Sequence, residues 1–232
     1  CEALIRWMKP HGEMVAPDVF IPLAEYTGLI VEIGDWVFAE ACQQIVRWDK
    51  EGLPHFRVGI NISAAQFREP DFVSKIAGVI ESTGVSPARL ELEITESVAM
   101  EDPESVARQL RELKSLGLRV AVDDFGCGFS SLGSLNRLPF DRVKIDRAFV
   151  RELTPETSQD CIARMIVKLA KSLGLEVTAE GVETEVQARL LGEMGCKEMQ
   201  GFLYGRPMNA DALMGWITAR SLPLGGFPGV DD

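Results

Sequence analysis

Five short segments of this chain alternate apolar with polar or small residues, and that alternation restricts the fold more than any other feature. They span residues 58–63, 90–95, 120–123, 143–146 and 177–180. Successive side chains of a strand point to opposite faces. Asn61, Glu93, Asp123, Lys144 and Glu180 therefore share the face opposite the Val/Ile/Leu row, each near the C-terminal end of its strand. Helix-period segments separate the strands, the pattern of parallel β/α units. The expected fold class is α/β, a TIM-like (β/α)8 barrel, in which such positions converge on one mouth. Carboxylates, an amide and a lysine gathered there have the chemistry of a metal site.

The segments between read as helices. Residues 17–26 form a short one ended by Gly28. Residues 34–50 form a longer one, with Trp36, Val37, Ala41, Ile45 and Trp48 at helical spacing and Gly52 and Pro54 stopping it. Residues 71–82 put Phe72, Ile76, Val79 and Ile80 on one side. Asp102-Pro103 offers a capping acceptor followed by a first-turn proline, and Val106, Leu110, Leu113 and Leu116 form the stripe behind it. The helix over 161–173 is expected to bury Ile162, Met165, Ile166, Leu169 and Leu173. A helix over 184–194, a last strand near 197–200 and a helix over 210–219 complete the series. Trp7, Trp36, Trp48 and Trp216 are expected in the core or in helix packing. One domain over 1–220 is the simplest division, with the Gly- and Pro-rich residues 221–232 as a flexible tail. Counted from Glu2, seven strands are visible, one short of eight; the first strand is expected to precede residue 1.

Bulk properties exclude several functions. The chain has 232 residues, room for a large single domain with a full core. Its net charge of −11 and pI near 4.8 disfavour a DNA or RNA polymer, or an anionic membrane, held by a basic surface. A small phosphate ligand stays possible, because bound cations invert the local field. Cys1, Cys42, Cys127, Cys161 and Cys196 are scattered, odd in number and without a CxxC pair. A reduced, cytoplasmic setting is expected. No apolar run has the length of a membrane span and no signal peptide is present, although a longer parent protein could be membrane-anchored.

Seven motifs stand in order along the chain: Glu2-Ala3-Leu4-Ile5-Arg6-Trp7, Asn61-Ile62-Ser63, Glu93-Ile94-Thr95-Glu96, Asp123-Asp124-Phe125-Gly126, Lys144-Ile145-Asp146, Glu180-Gly181-Val182-Glu183-Thr184 and Gln200-Gly201-Phe202. Together they resemble the EAL domain family of bacterial cyclic di-GMP phosphodiesterases, from residue 1 to about Ala219. One three-letter match would carry little; seven in order, each where the strand pattern puts it, are specific. The oxygen-rich donor set agrees. Both histidines, His11 and His55, lie outside the strand ends, and hard oxygen donors suit Mg²⁺ or Mn²⁺ rather than Zn²⁺.

The resemblance implies a role for each residue. Glu2, Asn61, Glu93 and Asp123 would hold one metal ion. Asp123, Asp124 and Glu180 would serve a second, with Asp123 bridging. Lys144 would orient or help deprotonate the attacking water, and because carboxylates beside an ammonium favour its charged form, positioning is the expected role. Glu96 would fix the loop after Asp124, and Glu183 and Gln200 would line the water and metal site. Arg6 would contact a substrate phosphate, which suits a guanidinium fork, and Leu4 would help seat the substrate. Read alone, Asp146 fits a loop anchor as well as a ligand, Arg6 could pair with a neighbouring acid, and Gly126-Cys127-Gly128 could be a plain turn.

Two departures from the family pattern stand out. Cys127 and Phe129 occupy positions where Thr and Tyr are usual, which is expected to alter anchoring of that loop and its coupling to a dimer partner. The absent first strand carries a substrate-contacting glutamine motif in the family. Three functions follow in order: hydrolysis of cyclic di-GMP to linear pGpG, silent reception of cyclic di-GMP, and a barrel enzyme for another phosphorylated substrate. A homodimer and accompanying sensory or GGDEF domains are implied partners.

Overall fold

The alternating segments become neighbours in one parallel sheet. In a computed structural model, which describes residues 1–126, 137–159 and 161–221, the strands are β1 (Glu2–Ala3), β4 (Val58–Asn61), β5 (Leu90–Thr95), β6 (Arg119–Phe125), β7 (Arg142–Ile145), β8 (Glu176–Ala179) and β9 (Glu198–Met199). They pair in sequence order, all parallel. A small antiparallel hairpin of β2 (Trp7–Met8) and β3 (Met14–Val15) stands apart. The helices are α1 (Pro17–Thr27), α2 (Ile30–Lys50), α3 (Ala64–Phe67), α4 (Phe72–Thr83), α5 (Glu96–Glu101), α6 (Pro103–Ser115), α7 (Arg147–Arg151), α8 (Ile162–Ser172), α9 (Glu185–Met194) and α10 (Ala210–Ser221). Among the described residues, no helix is long and apolar enough to cross a membrane.

The sheet is curled with its helices outside, the barrel-like architecture that the alternation implies. Val58, Ile60, Leu90, Leu92, Ile94, Val120, Val122, Val143 and Ile145 join the core beneath α2, α6 and α8. From α6, Leu110 and Leu113 are fully buried, each worth roughly 1.5–3 kcal/mol by removal from water. Asp102 caps this helix, accepting from the Ser105 N–H at 3.3 Å. β1 and β9 are not strand partners. Their ends nevertheless meet, because Gln200 Nε2 donates to Glu2 Oε2 at 2.7 Å.

Several expectations need correction. α2 starts at Ile30, not at Gly34. Gly34 lies inside the helix because the Gln66 amide occupies the place of a side chain there; a Cβ would stand 2.0 Å from Gln66 Oε1. In α8, Ile162 and Met165 are exposed, while Ala163, Ile166, Val167 and Ala170 face inward. Small residues on that side let the helix approach β7 and β8 closely. Of the tryptophans, Trp48 is buried and Trp216 half-buried, but Trp7 and Trp36 are 48% and 58% exposed. Trp7 meets the core only edge-on, against Phe20 at 5.7 Å between ring centroids. Cys127, Phe129 and the tail from residue 222 lie outside the described residues.

Candidate active site at the barrel mouth

Lys144, at the end of β7, is the centre of the mouth. Its Nζ lies 2.5 Å from Glu93 Oε2, 2.7 Å from Glu180 Oε1, 3.3 Å from Asp123 Oδ1 and 3.9 Å from Glu2 Oε2. The lysine is 2% exposed and Glu93 is 4% exposed. These acids come from β1, β5, β6 and the residue after β8, so only the curled sheet assembles them. The Glu180 contact is close but poorly directed, and Oε1 of Glu180 is buried without a hydrogen bond of good geometry. Two amides hold Glu2 from either side: Asn61 Nδ2 donates to Oε1 at 2.6 Å and Gln200 Nε2 to Oε2 at 2.7 Å.

The electrostatics follow from one cation among many acids. Burial alone would lower the Lys144 pKa; the carboxylates of Glu93, Glu180, Asp123 and Glu2 outweigh it and push the value up. Burial raises Glu93 to about 8 in spite of Lys144, with Glu2 and Asp123 adding to the rise. Burial likewise raises Glu180 to about 7. Asp124 is raised to about 6 by burial, then by Asp123 and Asp146. Burial is the largest cause of each carboxyl shift, and the neighbouring acids add to it.

Adjacent aspartates on a regular strand would point to opposite faces. Here β6 is irregular: Val122 pairs with Val143 but Phe125 with Ile145, so β6 carries an extra residue against β7. Such a bulge re-aims side chains. Asp124 takes a left-handed backbone with φ of 53°, which is tolerated by Asp more readily than by most residues. Its N–H donates to Asp123 Oδ1 at 2.9 Å. Glu96, first residue of α5, accepts from the Gly126 N–H at 2.8 Å. Asp146 caps α7, accepting from the Ala148 N–H at 2.7 Å, and also touches Asp124.

The remaining candidates lie at the rim. Leu4 and Arg6 are exposed just beyond β1. The Arg6 guanidinium donates to the Ile5 carbonyl at 2.8 Å and, among the described residues, makes no ion pair. Glu183 is exposed beyond β8; its N–H donates to Gln187 Oε1 at 2.9 Å, and among the described residues its carboxylate makes no ion pair with the Lys144 cluster.

Sequence reasoning passed over a second charged layer on the same inward face, at the barrel floor. Arg142, two residues before Lys144, donates to Glu91 Oε2 at 3.1 Å, Thr178 Oγ1 at 2.6 Å, Glu176 Oε2 at 2.7 Å and Glu198 Oε1 at 3.0 Å. Arg119 reaches Glu176 at 2.8 Å and Arg57 reaches it at 3.7 Å. The same alternation that marks the mouth marks these residues. A cavity of about 600 Å³ opens at this end, lined by Arg57, Arg89, Glu91 and Arg142, and reaches Glu93 and Lys144 from below.

The model of the EAL domain family matches residues 1–207. The chain belongs to the EAL domain family. An uncharacterized signaling protein of Caulobacter vibrioides is 45% identical to it over 218 residues, 94% of this chain and 26% of that protein. The bifunctional diguanylate cyclase/cyclic di-GMP phosphodiesterase MucR of Pseudomonas aeruginosa is 43% identical over 217 residues, 94% of this chain and 32% of MucR. This EAL domain chain thus spans about a quarter to a third of the length of these curated relatives. A solved structure of PaMucR phosphodiesterase in complex with c-di-GMP superposes with a TM-score of 0.87 at 43% identity, covering 91% of this chain and 86% of that one.

Proposed function

We propose that this EAL domain hydrolyses one phosphodiester of cyclic di-GMP to give linear pGpG, with Mg²⁺ or Mn²⁺ bound at the barrel mouth. The observation that carries the reading is the surplus of buried acid about a single lysine, at the strand ends of a fold shared with a phosphodiesterase complexed with c-di-GMP. The donor set fits hard divalent cations: Glu2, Glu93, Asp123, Asp124 and Glu180 with the Asn61 amide, all oxygen ligands. The buried Glu180 oxygen without a well-directed partner fits the same purpose. Among the described residues, no three acids share one cation-sized point as they stand; the Lys144 ammonium takes the focus. Side-chain rotation is what the ligand reading requires of them. Such cations, when bound, supply charge neutralisation and a nucleophilic water near neutral pH.

The chain's own residues do the rest. Glu2, Asn61, Glu93 and Asp123 form one ligand group and Asp123, Asp124 and Glu180 the other. Lys144 points its Nζ at Glu93 and Glu180 in the middle of the ligand set; in this reading it orients the attacking water. Glu96 holds the chain after Asp124 through the Gly126 N–H. Arg6 binds a phosphate, Leu4 seats the substrate, and Glu183 and Gln200 border the water site. Water oxygen bonds to phosphorus, the P–O3′ bond breaks, and the O3′ leaves with a proton, so one water is added across one diester. A homodimer and neighbouring sensory or GGDEF domains belong to the same reading, in keeping with the bifunctional name of MucR.

The test incubates purified protein with cyclic di-GMP and Mg²⁺ or Mn²⁺ and separates nucleotides by chromatography. Accumulation of pGpG is the expected result. Binding without turnover would replace catalysis with a receptor role, and neither would point to another phosphorylated substrate.

A further inference from the structure

Glu93 depends on an empty space. On β4, Gly59 lies on the inward face with Asn61, and register pairs Gly59 with Glu91 and Asn61 with Glu93. The Glu93 side chain crosses that pairing diagonally and lies over Gly59. A Cβ at residue 59 would stand 2.0 Å from Glu93 Oε1 and 2.8 Å from its Cδ. On the other side Glu93 pairs with Ala121 of β6, whose small side chain leaves Lys144 of β7 room to reach across to Glu93 at 2.5 Å. Gly59 is not among the glycines with positive φ, so its backbone asks for no glycine. A glycine inside a strand weakens the strand and marks close approach of another group. Here the approaching group is the Glu93 carboxyl.

We infer that Gly59 is a positioning residue: its missing side chain is the notch that seats the Glu93 carboxylate against Lys144 and among the other acids of the mouth. The inference rests on the ligand role of Glu93 proposed above. The first atom that a new Cβ meets is the end of a flexible side chain, not backbone, so Gly59→Ala leaves the fold intact and displaces the carboxylate. Cation binding is then lost while the fold survives, and the loss depends on the length of the acid at residue 93, which a merely structural glycine would not produce.

Gly59→Ala is compared with the native chain by circular dichroism, Mn²⁺ calorimetry and crystallography. Circular dichroism is expected to show the fold retained, and the Mn²⁺ Kd to weaken by about tenfold or more, as for losses of ligand-supporting partners. In the variant's structure the Glu93–Lys144 contact is expected to be broken. In a Glu93→Asp background, where the shorter acid clears residue 59, adding Gly59→Ala should change the Kd by less than about twofold. An unchanged Kd with Glu93 in place, or an equal loss in the Asp background, would overturn the inference. Absence of Mn²⁺ binding by the native chain would count against the proposed function instead, and the variant's structure alone would then decide the role of Gly59.

Discussion

At the floor of the barrel Arg57, Arg119 and Arg142 face Glu91, Glu176 and Glu198. Further along the same strands, at the mouth, Lys144 faces Glu2, Glu93, Asp123 and Glu180, with Asp124 beside them. Among the described residues the floor is balanced, three guanidiniums to three carboxylates; Arg142 forks onto Glu198 and also bonds Glu91 and Glu176, although Arg119 Nε is buried there without a hydrogen bond. At the mouth five carboxylates share one ammonium. A buried ion network that neutralises itself is a structural element; one that leaves surplus charge is costly until something of opposite sign binds. The difference between the two layers, more than either alone, separates the scaffold from the site. Both are built from the same strand faces, so alternation is not what distinguishes them. Net charge is.

Four experiments would break or sharpen that contrast. The largest effect is expected from Asp123→Ala, which sits between both proposed ligand groups. Turnover of cyclic di-GMP should fall by about a thousandfold or more while circular dichroism shows the fold retained; activity within tenfold of native would remove Asp123 from the ligands. Next comes Arg142→Met at the floor. It leaves buried Glu91 with only the longer Arg119 contact at 3.6 Å, and urea unfolding should show a loss of about 3 kcal/mol, with Mn²⁺ affinity far less affected than stability. A loss confined to cation binding would mean that the two layers are not separable.

The third effect is on pH dependence, measured in chelator. The folded-state pKa of Glu93, about 8, lies above the unfolded carboxylate value of 4.5. Between those values the folded protein binds more protons, so stability falls as pH rises through that window. A decline on the order of 2 kcal/mol between pH 5 and pH 8 is expected, reversed by Mn²⁺ at the upper end. Stability that climbs with pH would place the surplus charge elsewhere. The smallest effect is that of Glu180→Gln, which removes one acid from the mouth and should raise stability at pH 8 by about 1 kcal/mol. The matching floor change, Glu91→Gln, should lower it.

Much of this molecule was legible before any coordinates. The side-chain period of two assigned Asn61, Glu93, Asp123, Lys144 and Glu180 to one face, and seven ordered motifs pointed to one family, because both depend on neighbours along the chain. Some local signals were also present and unread. Ser63 and Gln66 form a capping box that opens α3, and Glu91 and Arg142 share the parity of Glu93 and Lys144. Other features had no local signal. The expectation that Ile162 and Met165 are buried failed because helical period gives a stripe but not which edge of it faces the sheet.

Strand order, inward faces and the identity of the charged groups were thus determined by sequence alone. Only tertiary structure decided which charges close on one another. The extra residue in β6 and the left-handed Asp124 set where two aspartates lie. Curling of the sheet brought Gln200 to Glu2 and put Lys144 at the focus. Alternation is a property of one strand, whereas register and curvature arise between strands, and charge balance is settled there.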